Sequence, residues 1–185
     1  MSVRGAAHEA LRAATHDAHE ALDALFAGFD LGDEAQYRRF LRAHAMALPP
    51  VEAALDAAGM AGLLDDWPAR RRAAALTADL GALGEPPPPA LTAPALPSAA
   101  AAWGAAYVLE GSRLGGAMLA RSVGPGLPTS YLGTPQAAGA WRRFLERLQS
   151  ALYQPEAIAA AAAAAVSVFA LFGAAGRAMS ERQHR

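Results

Sequence analysis

Five histidines, His8, His16, His19, His44 and His184, are the strongest metal ligands on offer in a chain that contains no cysteine. Without thiols there are no disulfides, no cysteine-bound zinc, no iron–sulfur clusters and no thiolate-ligated iron, so imidazole and carboxylate must carry any metal chemistry. His16 and His19 stand three apart on a predicted helix, about 300° of rotation, and point in neighbouring directions. His19 borders an apolar stripe with Thr15, Ala18, Leu22 and Phe26, which predicts a half-buried ring. His16 shares a polar side with Arg12, Glu20 and Asp23, which predicts exposure. The plainer account of His19 is an imidazole at the core's edge with a backbone partner. A di-iron bundle would need Glu-x-x-His pairs on facing helices, and the only such pair is Glu181 with His184 in the polar tail. No G-x-S-x-G turn is present to build a serine nucleophile.

The second unusual feature is glycine inside a helix. Gly104, Gly111, Gly115 and Gly116 punctuate an otherwise alanine- and leucine-rich run, Trp103 to Gly116. Each costs about 1 kcal/mol relative to alanine, so something must come close to the backbone. Gly104, Gly111 and Gly115 recur at intervals of seven and four and line one face. Two readings compete: tight helix–helix contact through Gly111 and Gly115, or a flat ligand laid against a bare, kinked helix.

The elements that position these residues are helical throughout. Apolar residues recur at helical rather than alternating spacing, and strand formers are few, which predicts an all-α domain. The first helix is predicted from Ala6 to Phe26, ended by the Gly28–Gly32 stretch; Asp33 then caps a second helix through Tyr37, Phe40, Leu41 and His44. Pro49-Pro50 predicts a kink or short turn before helix resumes over Val51–Ala58. Leu63–Leu83 is a third helical region with a solvated Arg70-Arg71-Arg72 patch, and the proline-rich Glu85–Pro97 stretch is an extended surface connection. Further helices are expected over Ser98–Val123, Trp141–Leu152 and Glu156–Met179, before a frayed tail at 180–185.

Length and composition bound the rest. With 185 residues, 54% of them hydrophobic, the chain forms one domain (1–185) with a sizeable core. Its sixteen basic residues are all arginine, they balance seventeen acidic ones, and they form no basic stripe, which argues against nucleic-acid binding. The N-terminus lacks the apolar segment of a secretory signal, so a cytoplasmic location is expected. Ala157–Gly176 is uncharged and long enough to span a bilayer, but it is mostly alanine and is expected to be a core helix instead.

Together these features resemble one family. Leu11-Arg12-Ala13-Ala14-Thr15-His16-Asp17-Ala18-His19, followed by Leu22-Asp23-Ala24-Leu25-Phe26, is similar to the proximal helix of the heme oxygenases. Tyr107-Val108-Leu109-Glu110-Gly111-Ser112-Arg113-Leu114-Gly115-Gly116 resembles the glycine-rich distal helix of the bacterial, biliverdin-producing branch. The resemblance covers nearly the whole chain. It implies a single heme oxygenase-like helical bundle holding haem b as substrate and cofactor, with His19 on the iron. Gly111, Ser112, Gly115 and Gly116 would line the distal side. Arg12, Tyr107 (one position out of register) and either Arg142 or Arg143 would meet the propionates. It further implies cleavage at a meso carbon to biliverdin, CO and ferrous iron, using O2 and electrons from a reductase or ferredoxin, with a bacteriophytochrome as one possible recipient of product. Animal members carry an Asp where this chain has Ser112, so ordered water with Ser112 and backbone carbonyls would have to complete the proton route, which places Ser112, Gly111 and Gly115 with His19 among the implied catalytic residues. The alternative implied by that difference is a haem-binding or sensory protein that does not degrade haem; outside the family, the alternative is a purely structural helical scaffold.

Overall fold

The computed structural model describes residues 5–181, so His184, and with it the Glu181–His184 pair, lies outside the described residues. The elements are α1 (Ala6–Phe26), α2 (Glu34–Ala57), the single-turn α3 (Met60–Leu63) and α4 (Trp67–Arg70), α5 (Ala73–Ala82), α6 (Ala99–Leu119), α7 (Ala140–Ala151) and α8 (Pro155–Ser180). No strand occurs among the described residues.

Two predicted helix starts follow directly from capping chemistry. Asp33 accepts the Gln36 backbone N–H at 2.9 Å, and Ser98 accepts that of Ala101 at 3.2 Å, each satisfying a donor that the first helical turn leaves over. Pro49 and Pro50 lie inside a continuous α2, so the short turn offered as one expectation does not form. Pro50 lacks the N–H that would bond the Met46 carbonyl four residues back. The backbone N–H of Leu91 takes that place at 2.8 Å. The proline-rich stretch is therefore a strap with a hydrogen-bonding role, and Leu91 and Leu96 pack against the core.

The arginine patch is the larger correction. Arg70 and Arg72 are 7% and 4% exposed; only Arg71 faces solvent. The region also divides into α3, α4 and α5 rather than running as one helical stretch. Arg70 pairs with Asp66 and with the buried Glu110 of α6. Glu52 of α2 accepts the backbone N–H groups of Arg72 and Ala73 at 2.7 and 3.1 Å, which caps α5 from a neighbouring helix. Buried guanidinium groups persist only where carboxylates and carbonyls meet them, and here they do.

α8 is the central element, packed against α1, α2 and α6. It is the one helix among the described residues long and apolar enough to cross a membrane, and it buries Ala161, Ala165, Val168, Phe169 and Phe172 within the bundle. The loop after α6 is fastened at several points. Gly124 N–H bonds Leu31 O at 3.0 Å, Tyr37 Oη donates to Pro128 O at 2.7 Å, and the buried Asp79 carboxylate accepts the N–H groups of Ser130 and Tyr131.

Candidate functional site

Arg12, His16, His19 and Asp23 follow one another at spacings of four, three and four, and so share one face of α1. That face is open. His19 is exposed, with 60% of its side chain accessible, where the apolar stripe predicted half burial. The stripe's packing onto α8 leaves the ring resting edge-on against Phe169, centroids 5.7 Å apart, with its tip outside. Nδ1 lies 3.1 Å from Asp23 Oδ2, while Glu20, the sequence neighbour, pairs with His16 instead at 3.3 Å. An Nδ1–H given to Asp23 leaves the Nε2 lone pair available as a ligand. His44 is different. Four rings, Phe26, Phe40, Tyr131 and Phe172, surround it, and its Nδ1 is 2.9 Å from the Phe40 carbonyl. Burial pushes its pKa down to about 4, so it is a neutral core imidazole.

The glycines of α6 separate into two kinds. A Cβ on Gly104 would overlap the Ala161 carbonyl of α8, so the tight helix contact is there. A Cβ on Gly111 would meet only the Trp141 ring at 3.8 Å, and one on Gly115 would meet nothing within 4 Å. The packing explanation therefore fails for Gly111 and Gly115. Gly116, expected beside them, is buried against the Leu132 carbonyl and faces the protein interior instead. The helix remains continuous through this segment. Leu114, Met118 and Leu119 are 51%, 73% and 41% exposed, so this end of α6 presents an apolar, uncovered surface.

α1 and α6 both pack on α8 and scarcely touch each other. They approach near Tyr107, whose half-buried ring meets His8 at 5.9 Å and Trp141 at 5.8 Å. Burial raises the Tyr107 pKa, and the nearby charge of Arg12 opposes that rise. The charge of Arg12 on α1 thus reaches the Tyr107 hydroxyl on α6. Arg142 and Arg143 are both exposed: Arg142 lies 4.0 Å from Glu146, and Arg143 donates to the Ala138 carbonyl at 2.8 Å. A run of side chains links the two helices. Ser112 touches Arg72, Arg72 lies 5.2 Å over Tyr131, and Tyr131 meets His44, which meets Phe26 at the end of α1.

The described residues hold no cluster of three or more histidines and carboxylates that could bind a metal unaided. An oriented imidazole on α1, and bare backbone with exposed aliphatic residues on α6, suit a metal that arrives with a flat, apolar ligand set of its own, and Arg12 suits an acidic edge. Comparison with known proteins agrees. The chain is 40% identical over 142 residues to the heme oxygenase of Xanthomonas campestris, a match covering 71% of this chain and 85% of that one. The chain belongs to the heme oxygenase family. Its fold matches a crystal structure of the NO- and CO-bound heme oxygenase of Neisseria meningitidis with a TM-score of 0.78. That match has 27% identity and covers 91% of this chain and 89% of the other. No family model matches the chain.

Two residues of this heme oxygenase escaped the sequence reading. Asp23 was visible as a carboxylate four residues after His19, the spacing at which helical side chains meet. Arg72 carried no signal, because its contact with Ser112 joins residues forty apart.

Proposed function

We propose that this heme oxygenase binds haem in the opening between α1 and α6, with His19 Nε2 on the iron and Gly111 and Gly115 against the opposite face. The observation that carries this reading is the His19–Asp23 pair, which presents a free Nε2 on an exposed ring. Haem when bound supplies both the iron that activates O2 and the carbon skeleton that is oxidised. Asp23 fixes the tautomer and direction of His19. Arg12 offers a guanidinium to one propionate, and Tyr107 beside it offers a hydroxyl. Either exposed arginine of α7, Arg142 or Arg143, offers a guanidinium for a second propionate. Leu114, Met118 and Leu119 would cover the ring's apolar surface and exclude water from it.

Turnover to biliverdin, CO and ferrous iron then needs O2 and electrons from outside the chain. A reductase or ferredoxin fits that need, a bacteriophytochrome could receive the product, and the cytoplasm is the setting. The test is single turnover of the haem complex with a reductant and catalase present. Biliverdin absorption is expected. A stable haem spectrum under those conditions would instead establish a haem-binding protein without degrading activity, and His19→Ala should remove the axial-histidine spectrum in either case.

A further inference from the structure

The hydrogen bonds around Ser112 decide what that residue can do. A serine hydroxyl has one hydrogen and two acceptor sites. Its hydrogen goes to the Leu109 carbonyl at 2.7 Å. One acceptor site takes the Arg72 Nη2–H at 2.6 Å. The side chain is otherwise exposed, so one acceptor site remains to face outward and no hydrogen does. Arg72 is not free to leave. Its backbone N–H is held by Glu52, its guanidinium lies over the Tyr131 ring, and Nη2 also bonds the Leu109 carbonyl at 2.9 Å. The neighbouring guanidinium groups are occupied elsewhere: Arg70 with Glu110, and Arg113 with the Arg70 and Pro135 carbonyls.

We propose that Ser112 is an acceptor-only anchor, which orients a water or other hydrogen-bearing ligand in the site but donates no proton to it, and that Arg72 is the positioning residue that holds it so. The inference rests on the haem site described above. Proton supply to that site then falls to water itself, and the hydroxyl contributes direction.

Fluoride, which accepts hydrogen bonds and donates none, is the probe, and its equilibrium affinity for the ferric haem complex is the readout. Ser112→Ala should leave fluoride affinity within twofold of wild type. With Arg72→Met the oxygen loses the donor that fixes its direction and only the Leu109 carbonyl competes with fluoride for the hydrogen, so adding Ser112→Ala in that background should weaken fluoride roughly five- to tenfold, on the scale of one hydrogen bond. Arg72→Lys keeps a donor and should restore indifference to Ser112→Ala. A roughly tenfold loss from Ser112→Ala alone would overturn the acceptor-only assignment, and that single exposed substitution tests it even if Arg72→Met fails to fold. Indifference in every background in which the protein folds would overturn the role of Arg72. A wild-type chain that gives no Soret band on haem titration would fail at the earlier step, the haem site itself.

Discussion

Asp23 stands one helical turn beyond His19 on the same face of α1 and holds its Nδ1 at 3.1 Å. Both side chains are exposed, so the pair adds little to the stability of the free protein. Its effect lies in the ring's orientation. Asp23→Ala should keep the helical fold and lower haem affinity about 10–100-fold, the usual loss when a ligand's orienting partner is removed. The measurement is haem titration beside circular dichroism. Unchanged affinity would take Asp23 out of the site.

Gly104 and Gly115 should answer the same substitution with opposite signs. Gly104→Ala drives a Cβ into the Ala161 carbonyl and should destabilise the free protein by about 1–3 kcal/mol. Gly115→Ala meets open space and should stabilise it by about 0.5–1 kcal/mol through a less flexible unfolded chain. Gly115→Leu should also fold, yet bind haem poorly. Thermal melts and haem titrations on the three variants check this, and a lowered melting temperature for Gly115→Leu with haem affinity falling only in proportion would contradict it.

The Leu91–Met46 bond across the strap predicts a coupled pair. Leu91→Pro removes the donor, leaves the Met46 carbonyl without its partner, and should cost about 1–3 kcal/mol. Pro50→Ala restores the intrahelical N–H to that carbonyl. Leu91→Pro should therefore cost measurably less in the Pro50→Ala background, and equal costs in the two would show that the strap's bond contributes nothing.

His44 predicts a pH dependence. Its folded pKa of about 4 lies below the ordinary 6.5, so the unfolded chain binds a proton that the folded one refuses. Stability should accordingly be full above pH 6.5 and fall as the pH drops toward 4, by up to about 3 kcal/mol. His44→Gln should flatten the slope in that window when melts at pH 7 and pH 4.5 are compared. A slope identical to wild type would assign the loss to other groups.

What could be read in the sequence was whatever a single helix decides by itself. The bounds of α1, the Asp33 cap and the shared face of Gly111 and Gly115 follow from spacing and capping alone. The exposure of His19 did not, because an apolar stripe tells which side packs but not how far the partner helix extends over it. Three arginines in a row looked solvated, and only Glu52 and Glu110, supplied by α2 and α6, bury two of them. Likewise, glycine spacing picked out the right face of α6, but Ala161 of α8 was needed to separate the packed Gly104 from the open Gly115.

The fastening of α6 has a mechanical consequence. Near its start Gly104 is pressed on α8; near its finish Gly116 is seated on Leu132, and the following loop is tied to Leu31, Tyr37 and Asp79. A beam held at both supports cannot swing open as a lid. It can only bow between them, and Gly111 and Gly115 set the compliance of that span. Admission of a ring would then be governed by the elastic give of about three turns of helix, so stiffening the span should slow entry and exit alike while shifting their ratio much less.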